Sequence, residues 1–163
     1  MRELQHSPTD YWEWLDVFRI LENRSLRADE WELLCKGTIY DFDHVQKQFL
    51  ETLEKTVNTK LKNTIQRSTK ALNIGLEDGD YVSLQIMLRR AKRELNECRF
   101  CRELTFLPEE IICDLDRQVV ETIRSYWNEW INTMKETAME MEQEETFNML
   151  YYLRRMEREY GKL

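Results

Sequence analysis

Glycine and proline are scarce in this chain of 163 residues, which contains four glycines and two prolines. Strand-rich domains and phosphate-binding loops both use glycine, for tight turns and for close approach of the backbone to a ligand. Four glycines leave little room for either kind of structure. The chain is instead rich in Glu, Lys, Arg, Leu and Met, which are good helix formers. The composition therefore favours an all-α fold.

The sequence motifs of the common catalytic sites are also missing. The chain has two histidines, and it contains no Gly-x-Ser-x-Gly, no glycine-rich phosphate loop and no His-Glu-x-x-His. Its first ten residues lack the apolar stretch of a signal peptide, and apolar runs elsewhere are too short to span a membrane. We therefore expect a cytoplasmic protein that is not an enzyme, with reduced cysteines, no cofactor and no membrane contact.

Apolar residues recur at steps of three or four along most of the chain, which predicts helices. Ser7 and Pro8 are typical of an N-cap and a first helical turn. Asp41 is expected to cap a long helix that ends at the loop 78–80, and Asp80 is expected to cap the next helix. The apolar positions of that next helix have the spacing of a coiled-coil seam; they are Leu84, Leu88, Ala91, Leu95 and Cys98.

The C-terminal third predicts a very long helix or two consecutive ones. Residues 109–160 contain neither glycine nor proline, and Pro108 followed by two glutamates is typical of a first turn. A single helix of that length would be several times longer than the radius of a small domain, so we expect a break near 143–146. The sequence predicts one domain over residues 1–163, a helical bundle of five or six helices, some long, with coiled-coil-like packing.

Charge is distributed unevenly along the chain. Residues 55–106 contain 11 basic and 6 acidic side chains, whereas each flanking segment has an acidic excess. The favoured interpretation is that the basic middle pairs with the acidic flanks, within one chain or between copies. The alternative is an exposed basic band over 55–102 that meets an anionic partner such as nucleic acid. The candidate residues of this band are Lys60, Lys62, Arg67, Arg89, Arg90 and Arg93. The absence of aromatic residues from 55–80 argues against stacking on bases.

Cysteines provide the candidate metal ligands. Cys98 and Cys101 have the spacing of half a zinc site, and Cys113 lies twelve residues further along the chain. However, Cys98 also falls on the apolar seam of its helix, where a free cysteine acts as a small core residue. We expect no bound metal and keep a helical metalloprotein as a third alternative.

Aromatic and methionine residues near the C-terminus provide the candidate partner site. Packing in the core explains most of them, but Tyr126 and Trp127 cannot both face a narrow core. Exposed aromatic and methionine surface often binds proteins. The candidates are Tyr126, Trp127, Trp130, Met134, Phe147 and Tyr151. The favoured function is a protein–protein interaction module, an adaptor, regulator or inhibitor, that forms a homo-oligomer, with a dimer favoured, through its C-terminal helix. A nucleic-acid accessory protein is the alternative.

Overall fold

A computed structural model of the protein describes residues 2–140, together with 150, 151, 153–155 and 158. The described part is helical and contains no strand, which confirms the predicted all-α bundle with long helices. The helices are α1 (Tyr11–Asn23), α2 (Ala28–Cys35), α3 (Phe42–Asp78), α4 (Tyr81–Glu97) and α5 (Glu109–Met139), with a 3-10 helix at Phe100–Glu103. The expected break at 143–146 lies outside the described residues.

The chain forms two compact units, each built from two stretches of sequence. Unit 1 comprises Met1–Lys62 and Asn96–Val119, and unit 2 comprises Asn63–Leu95 and Val120–Leu163. The dividing points fall within α3, α4 and α5, so each of these helices contributes residues to both units. The single domain expected from the sequence stays a prediction.

The core of unit 1 is an aromatic cluster around Trp14, which is fully buried. The ring centroid of Trp14 lies 5.8 Å from those of Phe18 and Phe49, and 5.4 Å from that of Phe106. These tilted and edge-on arrangements are the favoured geometries for aromatic pairs. The indole N–H of Trp14 donates to the backbone carbonyl of Thr38 at 3.0 Å, so its polar atom is satisfied although the ring is buried.

Helix α1 is capped by Asp10 and not by Ser7, so the sequence-based prediction of its start is wrong. The Asp10 Oδ1 accepts a hydrogen bond from the backbone N–H of Glu13 at 2.9 Å. The Glu13 carboxylate in turn accepts from the backbone N–H of Thr9 at 2.7 Å. This reciprocal pair satisfies donors at the helix start that a cap at Ser7 would leave unpaired.

Helix α3 continues without interruption for 37 residues. Its apolar positions advance by four, so they wind slowly around the helix, and Phe49, Leu53, Val57, Leu61 and Ile65 are all buried. The first four of these positions belong to unit 1 and the last to unit 2. The winding stripe therefore places apolar side chains of one helix in the cores of both units, and α3 passes Asn58 and Asn63 without a break.

The core of unit 2 contains the predicted seam of α4 and two tryptophans of α5. Leu84, Leu88, Ala91 and Leu95 are buried, as the seam spacing predicts. The rings of Trp127 and Trp130 lie 5.5 Å apart, and the indole N–H of Trp130 donates to Thr69 Oγ1 of α3 at 2.9 Å. Buried side chains from α3, α4 and α5 thus meet within this unit.

Close packing at Gly37 gives a first prediction. A Cβ at this position would lie 2.6 Å from a ring carbon of Trp14 and 2.9 Å from Cγ of Pro8. Gly37→Ala should therefore lower the free energy of unfolding by about 1–3 kcal/mol, a typical cost of overpacking, as measured by urea denaturation. The control is Gly79→Asn, since Gly79 has a φ of 63° and no neighbour within 4 Å of its Cβ position, and asparagine tolerates such a φ. Equal stability of the two variants would contradict the prediction.

Candidate interaction surface

Three of the predicted partner-binding residues are in the core of unit 2. The exposed fractions of Trp127, Trp130 and Met134 are 1%, 1% and 0%. This corrects their assignment to a partner surface, because the chain's own helices already cover them. Tyr126 and Tyr151 remain exposed, at 37% and 56%, while Phe147 lies outside the described residues.

Lys60 is also buried, which corrects its assignment to an exposed basic band. Its ammonium group donates to the backbone carbonyls of Leu21 and Arg24, at 3.1 and 3.4 Å. The Nζ atom also lies 3.9 Å from Oε2 of Glu97. The carbonyls at the C-terminal end of a helix have no partner within the helix. Lys60 therefore has a structural role at the end of α1.

The remaining band residues, Lys62, Arg67, Arg89, Arg90 and Arg93, are exposed. Two of them pair with the carboxylate of Glu94, whose side chain is 9% exposed. Arg67 donates to it at 3.1 Å and Arg90 at 2.7 Å. The hydrogen bond to Glu94 raises the pKa of the Arg90 guanidinium. Part of the basic charge is thus balanced within unit 2, which leaves Arg89 and Arg93 as exposed cations of α4.

The candidate metal ligands are divided between the core and the surface. Cys98 and Cys101 are buried, whereas Cys113 is exposed. Burial raises the pKa of the Cys101 thiol to about 11, and zinc binds the thiolate form. Over the part of the chain that the structure describes, no three His, Cys, Asp or Glu side chains are placed to hold a metal ion. The expectation of no bound metal stays a prediction.

Thiol reactivity gives a second prediction. In the folded protein, Cys35 and Cys113 should react with a disulfide reagent at neutral pH, whereas Cys98 and Cys101 should react only after unfolding. Burial and the nearby carboxylate of Glu103 raise the pKa of Cys35, so it should react more slowly than an unhindered thiol. Absorbance of the released thiolate counts the fast-reacting groups, and Cys113→Ser should remove one of them. Four equally fast thiols would contradict the described burial.

A surface that the sequence did not indicate lies between the second half of α3 and helix α4, within unit 2. It is a groove of about 310 Å³ whose lining mixes apolar and charged side chains. The lining residues are Arg67, Ser68, Ala71, Ser83, Ile86, Met87, Arg90, Ala91 and Glu94.

Aliphatic side chains extend this surface toward the loop between the two helices. Ile74, Val82 and Ile86 are 48%, 67% and 62% exposed. On α3, positions 67, 71, 74 and 78 share one face, and on α4 positions 82, 86, 89 and 93 do the same. We call this surface the hairpin face and define it as Arg67, Ala71, Ile74 and Asp78 of α3 with Val82, Ile86, Arg89, Arg90 and Arg93 of α4. Exposed aliphatic side chains grouped on one side of a helix pair are a feature of interaction sites.

The loop at the tip of the hairpin has well-defined local interactions. Gly79 takes the left-handed conformation that lets the chain turn back. Asp80 Oδ1 accepts from the backbone N–H of Ser83 at 3.0 Å, which confirms Asp80 as the cap of α4. The hydrogen bonds from the Ser83 hydroxyl and N–H lower the pKa of Asp80. At Gly75 a Cβ would lie 2.8 Å from Cδ2 of Leu84, so the two helices approach closely here.

Charges of opposite sign occupy the two ends of the hairpin face. The basic end consists of Arg67, Arg89, Arg90 and Arg93, and the acidic tip consists of Asp78 together with Glu77, which is next to Asp78 on α3 but beside the face; all six residues are exposed. The exposed aliphatic side chains Ile74, Val82 and Ile86 lie between these ends. The surface is thus apolar in the middle and polarised along its length.

Comparison with known proteins gives no functional assignment. No protein-family model, curated protein or solved structure matches the chain. In the described ranges, none of the helices combines the length and the apolar character needed to cross a membrane.

Proposed function

We propose that this protein is a non-enzymatic protein–protein interaction module and that the hairpin face is its docking surface. The main support is the exposure of Ile74, Val82 and Ile86 on one side of α3 and α4. The core does not require these residues, because a different stripe of α4, including Leu84 and Leu88, packs inside unit 2. Apolar surface in contact with water is unfavourable by roughly 25 cal/mol for each Å², which favours its burial against a partner.

The charges on the hairpin face favour a protein partner over a nucleic acid. Proteins bind the phosphate backbone through Lys and Arg side chains that neutralise its charges, whereas this surface has the acidic residues Glu77 and Asp78 at one end. Lys60 is buried, and Arg67 and Arg90 share a carboxylate, which weakens the proposed band further. The cytoplasmic location expected from the sequence stays a prediction.

A photo-crosslinking amino acid at position 86 tests this proposal. Placed there in the cells that make the protein, it should form covalent adducts with a protein partner, because Ile86 lies in the middle of the docking surface. The same amino acid at position 40 is the control, since Tyr40 is 78% exposed but belongs to unit 1. Mass spectrometry of the adducts identifies the partner. The proposed function would be contradicted if position 86 gave no protein adducts, or if positions 86 and 40 gave the same adducts in equal amounts.

The nucleic-acid alternative makes a separate prediction. Fluorescence anisotropy with labelled single- and double-stranded oligonucleotides should show only weak binding at physiological ionic strength. Tight binding that falls steeply as salt rises, with a uniform loss in Arg89→Ala plus Arg93→Ala, would indicate counterion release and support the basic band instead.

A further inference from the structure

We infer that the partner of the hairpin face is a second copy of the same chain, docked in reverse orientation about a two-fold axis. This inference rests on the proposed function. It names the occupant of the docking surface, and its support is the charge pattern of the surface itself.

A surface that meets itself across a two-fold axis must be complementary to its own reverse. The hairpin face has this property, because its two ends carry charges of opposite sign. Arg89 and Arg93 are at the basic end, and Glu77 and Asp78 are at the acidic tip. Reversal of one copy places each basic end against the acidic tip of the other copy. A surface of one sign would instead indicate a foreign partner of opposite charge.

The apolar middle also fits this arrangement. Arg67 and Asp78 are eleven residues apart on α3, which corresponds to about 16 Å along the helix axis. Ala71, Ile74 and Ile86 lie between these charged ends on the two antiparallel helices. When one face is reversed on the other, the aliphatic middle of each copy therefore meets the aliphatic middle of the other. At each end, the four arginines of one copy then face the acidic tip of the other copy.

The inference first predicts that the protein is a dimer and that dimerisation requires the apolar side chain of Ile86. Light scattering coupled to size-exclusion chromatography at micromolar concentration should give twice the chain mass for the wild-type protein and the mass of one chain for Ile86→Asp. Because the side chain of Ile86 is mostly exposed, the variant should keep the helical circular dichroism spectrum of the wild type. Tyr40→Asp, on unit 1, should remain a dimer.

Charge reversal at the two ends tests the orientation. The tip variant is Glu77→Lys with Asp78→Lys, and the end variant is Arg89→Glu with Arg93→Glu. Each variant alone should dimerise at least about tenfold more weakly, since like charges would face each other at both ends. An equimolar mixture should recover a heterodimer, because every basic end then meets an acidic one, and native mass spectrometry distinguishes the heterodimer by its mass.

A wild-type monomer at high micromolar concentration would overturn the inference, as would a dimer that survives Ile86→Asp. Tip and end variants that fail to form the heterodimer would overturn the reversed orientation. The crosslinker at position 86 then separates the two proposals. Adducts with a different protein keep the interaction function without self-docking, whereas the absence of specific adducts removes both.

Discussion

Glu30→Gln should lower the free energy of unfolding by about 3–5 kcal/mol, the range expected when one partner of a buried ion pair is removed. Glu30 is fully buried although it is charged. Glutamine keeps the shape of the side chain, but it leaves the guanidinium of Arg24 without its anion. Urea denaturation measures the loss directly, with a second probe such as tryptophan fluorescence to test two-state unfolding.

The size of this effect follows from the contacts of the Glu30 carboxylate. Arg24 binds both of its oxygens, with N···O distances of 2.6 and 2.7 Å. The backbone N–H groups of Leu4 and Arg27 each donate to it at 3.0 Å. The carboxylate therefore joins the N-terminal segment, the end of α1 and the start of α2. Its removal affects three parts of unit 1 at once.

The same contacts make the stability depend on pH in acid. The Arg24 guanidinium, helped by the two backbone donors, lowers the pKa of Glu30 from 4.5 to about 2. The folded state thus binds fewer protons than the unfolded state between these values, so the contribution of Glu30 is complete above pH 4.5 and declines as the pH falls toward 2. The difference in stability between wild type and Glu30→Gln should shrink over the same range.

Glu32→Gln is the matched control on the same helix. Glu32 pairs with Lys36 at 2.7 Å, but both side chains are mostly exposed, and exposed pairs contribute about 0–1 kcal/mol. If Glu30→Gln proved no more destabilising than Glu32→Gln at pH 7, the buried ion pair would contribute no more to the free energy of unfolding than an exposed pair, which would contradict the prediction.

The helices could be predicted from the sequence because local rules determine them. The period of the apolar residues locates α3, α4 and α5. Asp80 caps α4 by accepting a hydrogen bond from Ser83, which is only three residues further along the chain. The seam residues Leu84 and Leu95 are buried as their spacing indicates. The start of α1 was missed because two local caps compete there, and only the structure shows that Asp10 provides it.

The interaction surface could not be predicted, because exposure depends on which helices cover which faces. Trp130 and Ile86 both lie on amphipathic helices, yet the first is buried and the second is mostly exposed. Lys60 looks like an exposed cation in the sequence, but its ammonium group reaches carbonyls 36 and 39 residues away. One feature of the sequence could have indicated this surface. Val82 and Ile86 are apolar residues of α4 that do not belong to its seam, so a single packed stripe cannot bury them.

Trp130→Ala should lower the free energy of unfolding by about 3–5 kcal/mol, as large-to-small substitutions in a core do. The variant removes the ring that packs on Trp127 and the hydrogen bond to Thr69. It leaves a cavity among the side chains of unit 2 and an unpaired hydroxyl. Because Trp130 is covered by its own chain, this substitution should destabilise the fold without acting on a docking surface. Thermal and urea denaturation, followed by far-UV circular dichroism, measure the loss.

Tyr126→Ala is the control from the exposed side of the same helix, and it should change the free energy of unfolding by less than about 1 kcal/mol, since substitutions at partly exposed positions remove less packing. Trp130→Phe should recover much of the apolar packing but not the hydrogen bond to Thr69, so its stability should lie between those of Trp130→Ala and the wild type. Light scattering under conditions where Trp130→Ala is still folded should give the same mass as the wild type. If Trp130→Ala instead had half the mass of the wild type and the same free energy of unfolding, Trp130 would lie in an interface between copies. That result would contradict the prediction that Trp130 stabilises the fold of its own chain.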